Sequence, residues 1–267
     1  MTLLHLLIVA LLQGATEFLP VSSSGHLILL PNLAGLDDQG LVIDVAVHVG
    51  TLGAVLVYFR KDVGAVLAGL PRLLRGRVDT EGARLALLLA IATVPVTIAG
   101  LALTLSGLDQ ALRSVAVIGW TMLGFGIVLW IADRFGPSIR EAEDWSLRDA
   151  AILGLWQAVA LVPGTSRSGI CITGARFMGY SRHGAAKLAM LMSIPTIAAS
   201  GLLLGSRVLA RADAQAALDG AIAAAFAFVA ALAALAAMMR LLRSVSFTPY
   251  VIYRLVLGAG LLWWAYA

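Results

Sequence analysis

The sequence predicts an all-α integral membrane protein, with about six transmembrane helices and two re-entrant helical hairpins arranged as two inverted-topology repeats. Three observations predict it. Apolar residues fill 60% of the 267 positions and charged residues 13%, against roughly 45–50% and about 25% in a soluble domain. The mean hydropathy of +0.93 agrees, and too little polar surface is left to cover a water-soluble body of this size. The apolar residues also run in long uncharged stretches. In lipid only helices and closed barrels satisfy their own backbone, and the sequence lacks the segments of roughly 10 residues with alternating polarity that a barrel shows. Finally, two apolar stretches are broken near their middle by similar polar motifs.

In chain order, residues 1–34 form the first broken stretch, interrupted by Glu17, Pro20, a serine run and His26. Two short helices joined by a polar turn fit this pattern. The apolar start, Met1 to Leu12, has no basic leader and no small-x-small cleavage site before Glu17, so it is read as part of the mature protein rather than a signal peptide. Spans of about 20 residues, the length that crosses a bilayer, follow at 40–59, 85–105 and 112–132. The second broken stretch, 147–180, is interrupted by Pro163, Gly164, a Ser/Thr cluster and Arg167, and spans at 185–205, 219–239 and 247–267 complete the chain.

Loop charge orients these spans. The loop 60–84 carries Arg60, Lys61, Arg72, Arg75, Arg77 and Arg84. The loop 133–148 carries Arg134, Arg140 and Arg148, and the turn after the fifth span carries Arg240 and Arg243. All three are expected on the cytoplasmic side. The turn 106–111 has no Lys or Arg, and the loop 206–218 has only Arg207 and Arg211. The first hairpin then opens to the outside and the second to the cytoplasm. The net charge of +4 reads as this topological bias rather than as affinity for nucleic acid. The single cysteine, Cys171, matches no metal-ligand spacing and is expected to be a small packing residue.

Each half is a broken hairpin followed by three spans, so the chain is expected to be one membrane domain made of a first repeat, 1–133, and a second, inverted repeat, 134–267. An odd number of spans inverts the second copy, and a site is expected where the discontinuous helices meet near the midplane. The local sequences match: Gln13 precedes Pro20-Val-Ser-Ser-Ser-Gly-His26, and Gln157 precedes Pro163-Gly-Thr-Ser-Arg-Ser-Gly169, with a Gln-to-Pro spacing that differs by one residue.

The chemistry is expected in these motifs. Gln13 and Glu17 are four apart and share a helix face. A membrane-depth carboxylate costs about 2.5–3.5 kcal/mol on insertion scales and needs a partner or a task. Ser22, Ser23, Ser24 and Gly25 would open the second short helix, where hydroxyls cap free N–H groups and the helix start attracts anions. His26 can carry protons near neutral pH. Thr165, Ser166 and Ser168 repeat the device with Arg167 added, whose planar fork of donors suits phosphate. Arg167 could instead pair with Glu17 to hold the hairpins together. Asp44 and His48 lie four apart on the first span, with His48 deep enough to line the site, and Lys187 starts the fourth span.

The two motifs resemble the signatures of the bacterial undecaprenyl-diphosphate phosphatases of the bacitracin-resistance type. The resemblance covers essentially the whole chain in length, span count and motif placement. That family accepts Glu or Gln where Gln13 stands, which leaves Glu17 as the only acid of the first motif. The resemblance implies hydrolysis of undecaprenyl diphosphate to the monophosphate, which recycles the lipid carrier for cell-wall polymers. It also implies bacitracin resistance, because bacitracin sequesters the diphosphate, and a site open to the periplasm of the cytoplasmic membrane. The expected catalytic residues are Glu17, Ser23, His26 and Arg167. Gln13, Ser22, Ser24, Gly25, His48, Gln157, Gly164, Thr165, Ser166 and Ser168 are expected to hold the substrate.

Three attackers stay open: Ser23 activated by Glu17 or His26, His26 itself, or a water placed by Glu17. A divalent cation, Mg²⁺ or Ca²⁺, is expected to arrive with the substrate's phosphates and to use Glu17 as its protein ligand; no organic cofactor is expected. The expected partners are the polyprenyl diphosphate lipid and the membrane lipids, with no nucleic acid and with a homodimer allowed. A lipid-phosphate or anion transporter would share the inverted repeats and the buried anion site, but transport needs no nucleophile.

Overall fold

The computed structural model of the protein describes residues 2–34, 39–209 and 214–267. Among them the chain is helical: α1 (Leu3–Glu17), α2 (Ser23–Ala34), α3 (Gly40–Tyr58), α4 (Arg60–Leu73), α5 (Glu81–Ser106), α6 (Leu108–Ala111), α7 (Val115–Phe135), α8 (Leu147–Val159), α9 (Arg167–Phe177), α10 (Arg182–Leu209), α11 (Ala214–Leu241) and α12 (Thr248–Tyr266), with one 3₁₀ turn at Ala142–Asp144. Several helices start where a hydroxyl satisfies an orphan N–H. Thr80 accepts from the Ala83 N–H and Ser114 from the Val117 N–H, both at 3.2 Å. Ser146 accepts from the Asp149 N–H at 3.2 Å while the Asp149 carboxylate accepts from the Ser146 N–H, a reciprocal cap. Arg211, counted above among the loop charges, lies outside the described residues.

Five helices are long and apolar enough to cross a membrane: Gly40–Tyr58, Glu81–Ser106, Val115–Phe135, Arg182–Gly205 and Ala214–Leu241. The chain is therefore a multi-pass helical membrane protein. Where the sixth span is expected the structure has a 19-residue helix, α12, which is not among these five. Arg254, Pro249 and three tyrosines lower its apolar average, and that composition separates it from the other five. The loop expected at 60–84 instead contains α4, whose charged residues hid a helix that lies on α5. The crossing is backbone to backbone: a Cβ on Gly82 would meet the Ala65 carbonyl, and one on Gly69 would meet the backbone of Ala83.

The two broken stretches are short helix pairs, α1–α2 and α8–α9, each joined by a polar turn. Helix α1 packs on α11, and α8 packs on α5. Helices α3 and α10 pack on each other, as do α7 and α12. These pairings map onto themselves when the halves are exchanged. The largest core cluster gathers around α9 and α10, with Ile170, Ile172, Met190 and Met192 beside Trp145. Cys171 is buried in it as a packing residue. Lys187 is structural, at 3.1 Å from both Asp62 and Glu143. The hydrogen bond from its ammonium holds the Glu143 carboxyl below the usual glutamate range.

Candidate active site

Helix α1 ends at Glu17 because the Phe18–Val21 turn contains Pro20, and α2 resumes at Ser23. In the second half α8 ends at Val159 and α9 resumes at Arg167. The residue before each restart is a serine in the left-handed region: Ser22 has φ 73° and Ser166 φ 70°, the only non-glycine residues with positive φ among the described residues. Such a conformation costs on the order of 1–3 kcal/mol and persists where surrounding contacts enforce it. Ser22 Oγ accepts from the Gly25 N–H at 3.4 Å, and Ser166 Oγ from the Gly169 N–H at 3.1 Å. The sequence match between the halves thus extends to a positive φ and a serine cap at the residue before each restart.

The turns meet face to face. Ser168 Oγ donates to the Leu19 carbonyl at 2.9 Å, and Arg167 Nη2 donates to Glu17 Oε1 at 3.1 Å. The other carboxylate oxygen, Oε2, accepts from Gln13 Nε2 at 2.8 Å and from Ser23 Oγ at 2.6 Å. His48 Nε2 stands 4.0 Å from Oε2. One acid therefore stands beside the guanidinium, the candidate nucleophile and His48. The Glu17 and Arg167 side chains keep only 7% and 13% of their surface exposed. In such a setting a pair is far stronger than at a surface.

A cavity of about 580 Å³ opens beside this pair. Glu17, Ser22, Ser23, Ser24, His48, Ser166 and Arg167 supply its polar wall, and Leu27, Ile28, Val45, Leu161 and Ile197 supply an apolar one. It is also lined by Leu41 and Asp44 at the start of α3, Arg113 just before α7, and Leu204 on α10. Polar and apolar walls in one cavity suit a lipid with an anionic head.

Seven of the expected residues line the cavity and seven stand behind its wall. Gln13 is fully buried and orients Glu17. Gln157, its counterpart, donates to the Ala92 carbonyl and accepts from Thr196, which does line the cavity. Gly25 supplies a capped N–H. Gly164, at φ +85°, lies against Ile118 of α7, where any Cβ would collide. Thr165 is buried, and Ser168 ties the turns as described. His26 faces away from Ser23: its Nδ1 bonds the Ser22 carbonyl at 2.7 Å, and its ring stacks on Tyr253 of α12, whose hydroxyl meets Nε2.

The donor set does not fit a protein-held metal. The cavity is lined by two carboxylates, Glu17 and Asp44; Glu17 already accepts three hydrogen bonds, and the described residues contain no cluster of three or more His, Cys, Asp or Glu placed to hold a metal ion.

Sequence reasoning missed Arg254 and Tyr253. Arg254 is fully buried and reaches both turns, donating to the carbonyls of Pro20 and Thr165. The signal was available, since an arginine inside an apolar span is a functional marker.

A polytopic helical membrane protein whose two broken helix pairs bring an acid, serine hydroxyls and an arginine together at a cavity with an apolar wall defines the class: a membrane protein with a site suited to an anionic lipid headgroup. The family model described as "Bacitracin resistance protein BacA" matches residues 6–260, and the chain belongs to this family. It is 71% identical over 267 residues to an undecaprenyl-diphosphatase of Ruegeria pomeroyi, covering 100% of both chains. It is 70% identical to one of Dinoroseobacter shibae, again over 100% of both. A relative of the same name in Hahella chejuensis is 46% identical, covering 100% of this chain and 99% of that one.

Proposed function

We infer that this chain is an undecaprenyl-diphosphatase, hydrolysing undecaprenyl diphosphate to the monophosphate and inorganic phosphate. The reaction recycles the lipid carrier for cell-wall synthesis and confers bacitracin resistance. Family membership and 70–71% identity over the full length support it. The single observation that carries the chemistry is the 2.6 Å hydrogen bond from Ser23 Oγ to Glu17 Oε2, both of which line the cavity.

The proposed route starts with the diphosphate against the polar wall while the isoprenoid chain follows the apolar wall. Arg167, the free N–H groups at the starts of α2 and α9, and the serine hydroxyls hold its oxygens and stabilise charge that builds during transfer. Ser23 Oγ attacks the terminal phosphorus and its proton passes to Glu17. The bond from that phosphorus to the bridging oxygen breaks, and undecaprenyl phosphate leaves. Glu17 gives that proton to the departing phosphate oxygen and is ionised again; water then attacks the phosphoserine with Glu17 as base, the Ser23–phosphorus bond breaks, and the proton held by Glu17 returns to Ser23 Oγ as phosphate leaves. Glu17 is favoured over His26 as activator because it already holds the hydroxyl, whereas His26 is engaged with Ser22 and Tyr253. Direct attack by His26 would require its ring to leave both partners. A cation, Mg²⁺ or Ca²⁺, is proposed to travel with the substrate's oxygens rather than with the protein. Release measured with EDTA and with each ion added tests that.

The lining residues Leu41, Asp44 and Arg113 belong to the starts of α3 and α7, the opposite helix ends from those that lead into Arg60–Arg84 and Arg134–Arg148. With those loops in the cytoplasm, the site is proposed to open to the periplasm of the bacterial cytoplasmic membrane. The inverted-repeat reading of 1–133 and 134–267 is supported by the exchangeable helix pairings and the paired left-handed serines.

The test is phosphate release from undecaprenyl diphosphate by purified protein in detergent, where no compartments exist. Release lost in Glu17→Ala, Ser23→Ala and Arg167→Ala supports the site. No release by folded wild-type protein, with or without Mg²⁺ and Ca²⁺, transfers the reading to transport of a lipid phosphate.

A further inference from the structure

We infer that Arg254 is a positioning residue for phosphate transfer, aiming the Ser166 N–H into the cavity by pinning the carbonyl before it. Arg254 is 0% exposed, so no substrate can touch it. A guanidinium has five N–H groups, and each has a backbone carbonyl. Nε donates to Met122 at 3.2 Å. Nη1 donates to Thr165 at 2.9 Å and Pro20 at 3.3 Å. Nη2 donates to Thr121 at 3.2 Å and Gly164 at 3.2 Å. The residue thus joins the turn of the first hairpin, the turn of the second, and α7.

Peptide planarity turns this into a statement about the site. In a trans peptide the carbonyl and the following N–H point in opposite directions, and no peptide in the described structure is cis. With the Thr165 carbonyl directed at Arg254, the Ser166 N–H is directed away from it. Ser166 lines the cavity and Arg254 does not. The Ser166 N–H has no partner among the described residues, whereas the neighbouring Thr165 N–H is used by Val162 at 3.2 Å. The left-handed Ser166, which has no local reason to favour that conformation, is held in part from behind by this bond. A fixed N–H aimed at a developing phosphoryl charge lowers the barrier rather than the ground state.

This inference rests on the site reading above, so its test carries Arg167→Ala beside Arg254→Met and Arg254→Lys. Phosphate release is measured per folded molecule, with the folded fraction taken from the monodisperse peak and the thermal midpoint. Methionine fills the space but leaves five carbonyls unpaired, and lysine restores at most three donors. The expected result is kcat lowered about 100-fold in Arg254→Met and about 10-fold in Arg254→Lys, as for loss of one oxyanion donor, with KM within about threefold of wild type. A purely structural role would lower yield and thermal midpoint but leave kcat of the folded fraction unchanged, and that result overturns the proposal. So does failure of both variants to fold, which would make Arg254 a folding residue. If Arg167→Ala keeps wild-type kcat, the site reading fails instead.

Discussion

Replacing Glu17 by glutamine separates catalysis from architecture more cleanly than any other single change. Glu17→Ala would leave the Arg167 guanidinium buried without its partner, and breaking a buried pair in this way costs about 3–5 kcal/mol. Glutamine is nearly isosteric. Its carbonyl oxygen can keep the bond from Arg167 Nη2, now 3.1 Å long. Its amide then faces Gln13 and Ser23, two donors at present. Gln13 can adapt, because its Oε1 is buried with no partner; turning the Gln13 amide over offers that oxygen to the new N–H₂. Ser23 keeps its place but loses the acceptor for its proton. Removing a general base costs typically 10²–10⁴-fold, or about 3–5.5 kcal/mol on the barrier, while the thermal midpoint is expected to stay within a few degrees of wild type. The assay is initial phosphate release from undecaprenyl diphosphate in detergent at saturating substrate, with a thermal scan of the same preparation. If Glu17→Gln retains more than about a tenth of wild-type kcat, Glu17 is not the base and the Ser23–Glu17 hydrogen bond is only structural.

Other outcomes follow from the same geometry. Labelled substrate and an acid quench are expected to trap phosphoserine in the wild type but not in Ser23→Ala; absence of label in the wild type and in slow variants would count against a covalent route. Gly164→Ala places a Cβ on the Thr121 hydroxyl and 2.7 Å from the Ile118 carbonyl at φ +85°. Left-handed strain of about 1–2 kcal/mol and overpacking of about 1–3 kcal/mol should appear as a lower thermal midpoint, and an unchanged midpoint would refute the close packing. Because Lys187 depresses the Glu143 carboxyl, the stability from that pair is full above the ordinary glutamate pKa of about 4.3 and is lost as pH falls through the depressed value. Glu143→Gln should therefore flatten the acid limb of a stability-versus-pH curve relative to wild type. The exposed carboxylate, at 73% side-chain exposure, keeps that effect small.

The sequence by itself determined the class of fold. Lipid as solvent forces backbone groups to pair within each segment, so uncharged runs such as 219–239 read directly as helices. Pro20 and Pro163 with their polar neighbours marked where two of those helices had to break. The pairing of Glu17 with Ser23 and Arg167 was also nearly legible, because a buried carboxylate requires a partner and few candidates existed. Helix α4 was not, since its polar residues masked a helix whose stability comes from the Gly69–Gly82 crossing with α5. Only the tertiary structure decided which motif residues face the cavity. Spacing along a helix gives a face, but which face meets a cavity depends on distant neighbours. Tyr253 turns His26 away from Ser23 across 227 positions of sequence, Ile118 takes the space over Gly164, and Arg254 locks the two turns across 234 and 89 positions. Local sequence carries the propensity to break and cap a helix, whereas side-chain direction is set by contacts that exist only once the two halves have packed.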